Sequence, residues 1–242
     1  MIVQACINGA RASDYHPKLP LTPAAMAADA AACVAAGAAE LHLHARRGGR
    51  ESLRAVSETV RAVRAACPGT LIGASTGAWI EGSPQATLDA IDGWTDLPDH
   101  ASVNLSEPDA PAVMARLRDK GVAIEAGLAS VADARRLASL QPPMHPLRVL
   151  VELEEQDAAT ALAAADAILD VLAEAGLRRP ILLHGFDATV WPLARHAFQR
   201  GLSTRVGLED GQHLPDGSLA PDNAAILRAA MALRAEVLER RP

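Results

Sequence analysis

The sequence predicts an α/β protein built as a single (β/α)8 TIM barrel over residues 1–242. Eight short apolar or β-branched runs alternate with eight stretches of helical spacing, and no Pro/Gly-rich linker or charge run interrupts them. Eight such repeats in 242 residues fit one barrel domain. The competing fold, a doubly wound open sheet, is disfavoured because no G-x-G-x-x-G turn follows the first predicted strand.

The predicted elements follow one another in regular order. Strands are predicted near residues 2–7, 40–44, 70–74, 101–105, 122–125, 147–151, 180–184 and 203–206. Helices are predicted near residues 23–37, 52–66, 84–93, 109–120, 130–139, 157–175, 187–200 and 220–239. Helix start signals, an N-cap residue followed by proline, occur at Thr22-Pro23 and Ser83-Pro84. Four helices end before a glycine suited to left-handed dihedrals, namely Gly37, Gly121, Gly176 and Gly201.

Composition disfavours several classes of function. The net charge of −6 and the small aromatic content (3 Trp, 1 Tyr and 2 Phe) argue against a nucleic-acid-binding surface. No apolar run of about 18 residues is present to span a membrane, and the P-loop motif is missing. The chain start lacks the layout of a signal peptide, and Cys6, Cys33 and Cys67 show no CxxC spacing. We therefore expect a reduced, cytoplasmic enzyme that acts on small molecules.

In a barrel enzyme, the catalytic residues come from the carboxyl ends of the strands. Polar residues interrupt the apolar runs at those predicted ends: Arg11, His42, His44, Ser75, Thr76, Asn104, Ser106, Glu125, His184, Glu209 and Asp210. This clustering predicts one catalytic face. Glu152, Glu154 and Glu155, after the sixth strand, are interpreted as solvated loop charges, of which one can point inward.

His42 and His44 are the sharpest local signal. Residues i and i+2 of a strand point to the same side, so both imidazoles are expected to face the barrel interior and to converge on one divalent cation. Glu209 can supply a third ligand, because the eighth strand closes next to the first and near the second. Zinc suits this donor set, although other divalent metals remain open. A pair of core histidines held by hydrogen bonds is the structural alternative.

Several blocks together resemble the zinc-dependent β-keto acid cleavage enzymes, a family that includes the 3-keto-5-aminohexanoate cleavage enzyme. These blocks are Asn8-Gly9-Ala10-Arg11, His16-Pro17-Lys18-Leu19-Pro20-Leu21-Thr22-Pro23, His42-Leu43-His44-Ala45-Arg46, Ser75-Thr76-Gly77 and Arg205-Val206-Gly207-Leu208-Glu209-Asp210-Gly211. The resemblance covers most of the chain. It implies a zinc (β/α)8 barrel, typically a homotetramer, that condenses a β-keto acid with acetyl-CoA to give acetoacetate and a new acyl-CoA.

The resemblance also implies roles for individual residues. His42, His44 and Glu209 would bind the metal, Asp210 would be the base, and Arg205 would hold Asp210. Ser75 and Glu125 would contact the keto acid or assist proton movement. The remaining candidate substrate-binding residues are Thr76, Asn104, Ser106 and Arg11. Structural alternatives stay open: a rim salt bridge for Arg205 with Asp210, a helix cap for Glu125 and a plain turn at Ser75-Thr76-Gly77.

The chain departs from the family pattern in ways that leave alternatives open. It is shorter than usual, and the segment from Asn104 to Asp109 after the fourth strand is brief where relatives carry a longer pocket-forming loop. This puts acetyl-CoA use in question and leaves the keto acid unidentified. The alternatives are a CoA-independent metal-dependent hydrolase or lyase on the same barrel, and a catalytically degenerate metal-binding barrel.

Overall fold

The computed structural model describes residues 1–140 and 145–240. Within these residues, eight parallel strands form one sheet in the order β8-β1-β2-β3-β4-β5-β6-β7. Their bounds are β1 Val3–Cys6, β2 Glu40–Leu43, β3 Leu71–Ser75, β4 His100–Asn104, β5 Ala123–Leu128, β6 Arg148–Leu153, β7 Ile181–Gly185 and β8 Thr204–Val206. The circle closes between β7 and β8 through Ser203, which donates to Ile181 O and accepts from Leu183 N, each at 3.0 Å. The predicted (β/α)8 barrel is confirmed.

The helices alternate with the strands as predicted. Their bounds are α1 Pro23–Ala35, α2 Val56–Ala66, α3 Pro84–Asp92, α4 Ala110–Asp119, α5 Val131–Ser139, α6 Ala158–Glu174, α7 Val190–Arg200 and α8 Asn223–Glu239. The Thr22 and Ser83 side chains accept from the backbone N–H three residues on, which confirms both predicted N-caps. The four glycines predicted to end helices all have positive φ.

The structure differs from the prediction at the starts of three helices and in one additional hairpin. The α2 and α7 helices begin with short 3-10 turns, Leu53–Ala55 and Asp187–Thr189. The last helix begins at Asn223 rather than near 220, because the Asp222 side chain caps it by accepting from Ala225 N. A hairpin of two-residue strands, Arg46–Arg47 and Arg50–Glu51, follows β2 and was not predicted.

The alternation of side chains along each strand separates two environments. In β2, Leu41 and Leu43 pack in the apolar layer between sheet and helices, whereas His42 lies in the barrel interior. The apolar layer also holds the largest fully buried side chains, among them Phe198 and Met26. None of the helices among the described residues is long and apolar enough to cross a membrane.

The lower part of the barrel interior is ionic. Arg148 on β6 contacts Glu40 on β2 and Glu125 on β5, each at 2.5 Å, and its Nη2 lies 2.9 Å from His100 Nε2 on β4. Burial opposes the charge of Glu125, but the Arg148 guanidinium outweighs it and lowers the pKa of Glu125 to about 2. This ionic layer occupies the position that branched apolar side chains fill in most barrels.

Candidate metal centre and active site

A cavity of about 500 Å³ opens at the carboxyl ends of the strands. Eight of the eleven predicted site residues line it: Arg11, His42, His44, Ser75, Asn104, Ser106, Arg205 and Glu209. The other three, Thr76, Glu125 and Asp210, are buried behind or below its wall. The barrel therefore brings most of the candidate residues into one cavity, as the strand-end argument predicted.

Three side chains at the cavity wall form a potential metal site. Glu209 Oε1 lies 3.4 Å from His44 Nε2 and 3.8 Å from His42 Nε2, and one donor atom from each residue falls within 4.8 Å of the others. The imidazole rings meet edge to face with centroids 5.3 Å apart. The three residues are buried, so their donor atoms face one another across a small protected volume.

The electrostatics of this group fit a cation. Burial lowers the pKa of His42 to about 3, so its imidazole is neutral and free to ligate. Burial also opposes a charged His44, but Glu209 and Glu51 outweigh it and raise the pKa of His44 to about 9. At neutral pH the imidazole of His44 therefore carries an additional proton, and a bound metal ion would replace that proton. Glu209 Oε2 has no hydrogen-bonding partner among the described residues, and a metal would give it one.

Outer contacts fix the orientation of His44. Glu51, on the unpredicted hairpin, places Oε1 2.5 Å from His44 Nδ1, and its Oε2 accepts from the Trp79 indole N–H at 3.0 Å. The Asn8 side chain accepts from His44 N and donates to His44 O, both at 2.9 Å. A carboxylate behind a ligating histidine sets the tautomer and ring orientation. Sequence reasoning missed Glu51 and Trp79, because neither belongs to a strand end.

The segment that carries Glu209 is held against β1 by its backbone. A Cβ atom on Gly207 would lie 1.9 Å from the Cys6 carbonyl oxygen, so only glycine permits this approach. The Asn223 side chain accepts from Leu208 N at 2.7 Å and donates to Ile7 O at 2.8 Å. Glu209 therefore has a fixed position relative to the histidines on β2.

Arg205 on β8 joins the carboxylates around the cavity. Its Nη2 lies 2.8 Å from Glu209 Oε1, 3.4 Å from Asp210 Oδ1 and 3.7 Å from Glu152 Oε2. Burial opposes ionisation of Glu209, but Arg205 outweighs it and holds the pKa of Glu209 well below its usual range. Glu209 thus stays ionised and able to bind a cation.

His184 on β7 lies between two of these carboxylates. Its Nδ1 is 3.2 Å from Asp210 Oδ1 and its Nε2 is 3.5 Å from Glu152 Oε2. Of the three glutamates after the sixth strand, Glu152 and Glu154 line the cavity, and Glu152 pairs with buried partners. Glu152 is therefore the one glutamate of the three that points inward, because it is the third of the alternate inward positions Arg148, Leu150 and Glu152.

The predicted substrate-contacting residues differ in how they are held. The Arg11 guanidinium donates to the backbone oxygens of Glu209 and Asp210 and pairs with Asp187 at 2.9 Å. Asn104 Nδ2 donates to Glu107 Oε1 at 3.4 Å, and Ser75 Oγ accepts from Gly77 N at 3.3 Å.

Thr76 and Glu125 do not face the cavity. The Thr76 hydroxyl donates to Ser102 O at 2.7 Å, and Glu125 belongs to the ionic layer with Arg148. Asp210 is fully buried, with Oδ1 near Arg205 and His184, and its Oδ2 has no partner in the described part of the chain.

Comparison with known proteins gives both a fold and a family. The apo structure of ObcA is 19% identical with a TM-score of 0.68, over 93% of this chain and 62% of that chain. A ternary complex of ObcA with a C4-CoA adduct and oxalate is 19% identical with a TM-score of 0.69, over 93% of this chain and 64% of that chain. A binary complex of ObcA with oxaloacetate is 18% identical with a TM-score of 0.67, over 93% of this chain and 64% of that chain. The 3-dehydroquinate dehydratase from Geobacillus kaustophilus HTA426 is 11% identical with a TM-score of 0.65, over 100% of this chain and 92% of that chain.

These identities are low enough that the structural likenesses show the barrel fold alone, and the chain spans less than two thirds of the ObcA chains. The sequence-based match is more specific. The family model of the beta-keto acid cleavage enzymes matches residues 1–242. The chain therefore belongs to the beta-keto acid cleavage enzyme family.

Proposed function

We propose that this protein converts a β-keto acid and acetyl-CoA into acetoacetate and a new acyl-CoA. The observation that carries the proposal is one cavity, in a member of this family, lined by both the His42–His44–Glu209 group and the Arg205 guanidinium. The ligands of the two ObcA complexes, oxaloacetate and a CoA adduct, belong to the same two chemical classes.

We assign the cation of the His42–His44–Glu209 group as zinc, because two imidazoles and one carboxylate are a donor set typical of catalytic zinc. When bound, zinc supplies a Lewis acid that polarises the β-keto carbonyl group. The chain's own residues must then handle the proton and hold the two substrates.

We assign Asp210 as the base that removes a proton from the methylene group between the ketone and the carboxylate. Arg205 holds Asp210 Oδ1 at 3.4 Å, while Oδ2 has no partner among the described residues and is free to accept a proton. Asp210 lies behind the cavity wall, so a small movement must bring Oδ2 to the substrate. Glu152, which lines the cavity beside the same Arg205, is the alternative base.

The rest of the reaction exchanges two acyl groups. The carbanion forms a bond to the thioester carbonyl carbon of acetyl-CoA, and the CoA thiolate leaves. The thiolate then adds to the ketone carbon of the original keto acid, and the bond between that carbon and the methylene carbon breaks. Asp210 returns its proton to the released fragment, which is acetoacetate, so the overall reaction consumes no proton and no water.

The remaining predicted residues are proposed as supports for the substrate. Ser75, Asn104, Ser106 and Arg11 line the cavity, and we assign them to contact the keto acid or the thioester. Thr76 and Glu125 would act from behind the wall, Thr76 by fixing the turn after β3 through Ser102 O. We further propose a cytoplasmic homotetramer, which light scattering of the purified protein would test.

The test is a turnover screen of zinc-loaded protein with a panel of β-keto acids and acetyl-CoA, with acetoacetate and new acyl-CoA read by mass spectrometry. Asp210→Asn is expected to keep its metal and to lose turnover by about 100-fold or more. Glu152→Gln is the matched variant, and loss of activity there with Asp210→Asn active would move the base to Glu152.

The proposal would be contradicted if the zinc-bound protein turned over none of the β-keto acids in the panel. Hydrolysis or cleavage without CoA would support a hydrolase or lyase on the same site. An Asp210→Asn protein that keeps both metal and every activity would support a degenerate metal-binding barrel.

A further inference from the structure

The hairpin after β2 carries two arginines directly opposite each other. Arg47 pairs with Arg50 across a two-residue turn, Gly48-Gly49, whose φ values are +59° and +80°. Directly opposite side chains of an antiparallel pair lie on one face with Cβ atoms about 4.5–5.5 Å apart. Both arginines are exposed, so two guanidinium groups are held close together on one surface of the hairpin.

This arrangement is unfavourable without a negative partner, because like charges directly opposite each other in a hairpin repel. In residues 1–140 and 145–240, the Arg50 guanidinium has no ion pair or hydrogen bond, and that of Arg47 donates only to the Arg54 carbonyl oxygen. Arg54 adds a third guanidinium, which is 53% exposed and forms an ion pair with Glu81 at 3.7 Å. In a chain of net charge −6, a basic cluster in which Arg47 and Arg50 have no acidic partner among the described residues is suited to bind an anion.

The hairpin adjoins the metal site. Arg46, on its inner face, donates to the backbone oxygens of Gly9 and Arg11, and Glu51 contacts His44 and Trp79. Arg47 is three residues beyond His44, so their Cα atoms are at most about 11 Å apart. The cluster of Arg47, Arg50 and Arg54 therefore lies on the segment that directly follows the metal-site residue His44, and none of its three residues lines the cavity.

The cavity wall has no free cationic side chain, among the described residues, to bind phosphate groups. Its wall carries the carboxylates of Glu152, Glu154, Asp187 and Glu209. Its two arginines are already engaged, Arg205 with buried carboxylates and Arg11 with Asp187 and two backbone oxygens. The phosphates of a CoA thioester are therefore expected to lie outside the cavity, and the hairpin that follows His44 carries two exposed guanidinium groups with no acidic partner among the described residues.

We propose that Arg47 and Arg50, with Arg54 beside them, bind the phosphate groups of the CoA thioester. The pantetheine arm would cross the rim beside Trp79, which is 53% exposed and lines the cavity, and would deliver the thioester to the metal site. The identity of this ligand rests on the proposed function, whereas the anion site can be tested without turnover.

The binding test uses adenosine 3′,5′-bisphosphate and CoA, titrated calorimetrically into the zinc-loaded protein. The double variant Arg47→Gln with Arg50→Gln is expected to weaken the binding of both ligands by about tenfold or more, because it removes charge-assisted hydrogen bonds. The matched control is Arg118→Gln with Arg228→Gln, two exposed arginines on α4 and α8 whose replacement changes the net charge equally. Unchanged zinc binding shows that both double variants are folded.

The kinetic test compares acetyl-CoA with S-acetyl-N-acetylcysteamine, which has the thioester but no phosphates. The hairpin variant is expected to raise KM about tenfold for acetyl-CoA and to leave kinetics with the truncated thioester unchanged. Equal binding of CoA by wild type and the hairpin variant, or equal weakening in the control variant, would overturn the proposal. If no keto acid turns over but the bisphosphate still binds through the hairpin, the phosphate site stands and the proposed reaction fails.

Discussion

Replacement of Glu51 by Gln isolates what the carboxylate behind His44 contributes to the metal site. Glu51 makes two contacts, at 2.5 Å to His44 Nδ1 and at 3.0 Å to Trp79 Nε1. A glutamine keeps one acceptor oxygen, but its NH₂ group must then face one of these two donors. Such changes in the outer contacts of a metal site lower metal affinity by about 10–100-fold, which corresponds to about 1.4–2.7 kcal/mol.

The structure also predicts how this effect divides between the two contacts. Trp79→Phe keeps the aromatic ring but removes the indole N–H, so Glu51 loses one neutral donor and keeps His44. One hydrogen bond of this kind contributes about 0.5–1.5 kcal/mol, so the zinc dissociation constant should rise by about 2–13-fold. The order of affinity expected is therefore wild type, then Trp79→Phe, then Glu51→Gln.

Zinc affinity would be measured by competition with a chromophoric chelator at neutral pH, and the zinc content checked by mass spectrometry. Glu154→Gln is the control, because Glu154 lines the same cavity without a described contact to the metal group. The reasoning is refuted if Glu51→Gln and Glu154→Gln bind zinc equally well. Folding of each variant is checked by thermal unfolding of the metal-free protein.

Three further outcomes are expected. His42→Ala should purify without stoichiometric metal, and metal retained there would show that the site lies elsewhere. Gly207→Ala should destabilise the fold by about 1–3 kcal/mol in urea unfolding and misplace Glu209, since the new Cβ meets the Cys6 carbonyl oxygen, whereas Gly93→Ala, with no contact under 3.4 Å, should be near neutral. Burial raises the pKa of Asp29 from 3.8 to about 6, so the folded state favours the neutral carboxyl group and the free energy of unfolding falls as pH rises through this range. The wild type should lose about 2–3 kcal/mol of stability between pH 4 and 7 from this group, and Asp29→Asn should not show that loss. Parallel plots of unfolding free energy against pH for the two proteins would contradict this.

The sequence predicts the barrel and the set of residues near the site better than it predicts how far along the barrel axis each residue lies. Strand periodicity located all eight strands to within a few residues, and the strand-end argument brought His42, His44 and Glu209 together. Depth depends on strand register, which is set by pairing between distant segments: Glu125 lies opposite Arg148 and so falls in the ionic layer below the cavity. Strand position alone could not reveal this.

Other parts of the site gave weaker signals. The hairpin that carries Glu51 has strands of only two residues, too short to show a period, although Gly48-Gly49 is a recognisable turn signal. The sequence left open which of the three glutamates after the sixth predicted strand points inward. Alternation along the strand decides for Glu152, because it follows Arg148 and Leu150 at alternate positions. The pairing of His184 with Asp210 depends on β7 and β8 meeting at the barrel closure, which only the folded structure shows.

The ionic layer beneath the cavity constrains how this sequence can change over time. Arg148 contacts Glu40 and Glu125, so loss of one partner leaves buried charge uncompensated and costs about 3–5 kcal/mol. Replacing all three together with apolar residues of similar volume is often neutral or stabilising. Each single substitution therefore destabilises the protein, whereas replacement of all three residues together does not. Lineages are expected to keep the set intact or to exchange it as a unit, so these three positions should covary more strongly than the surrounding core.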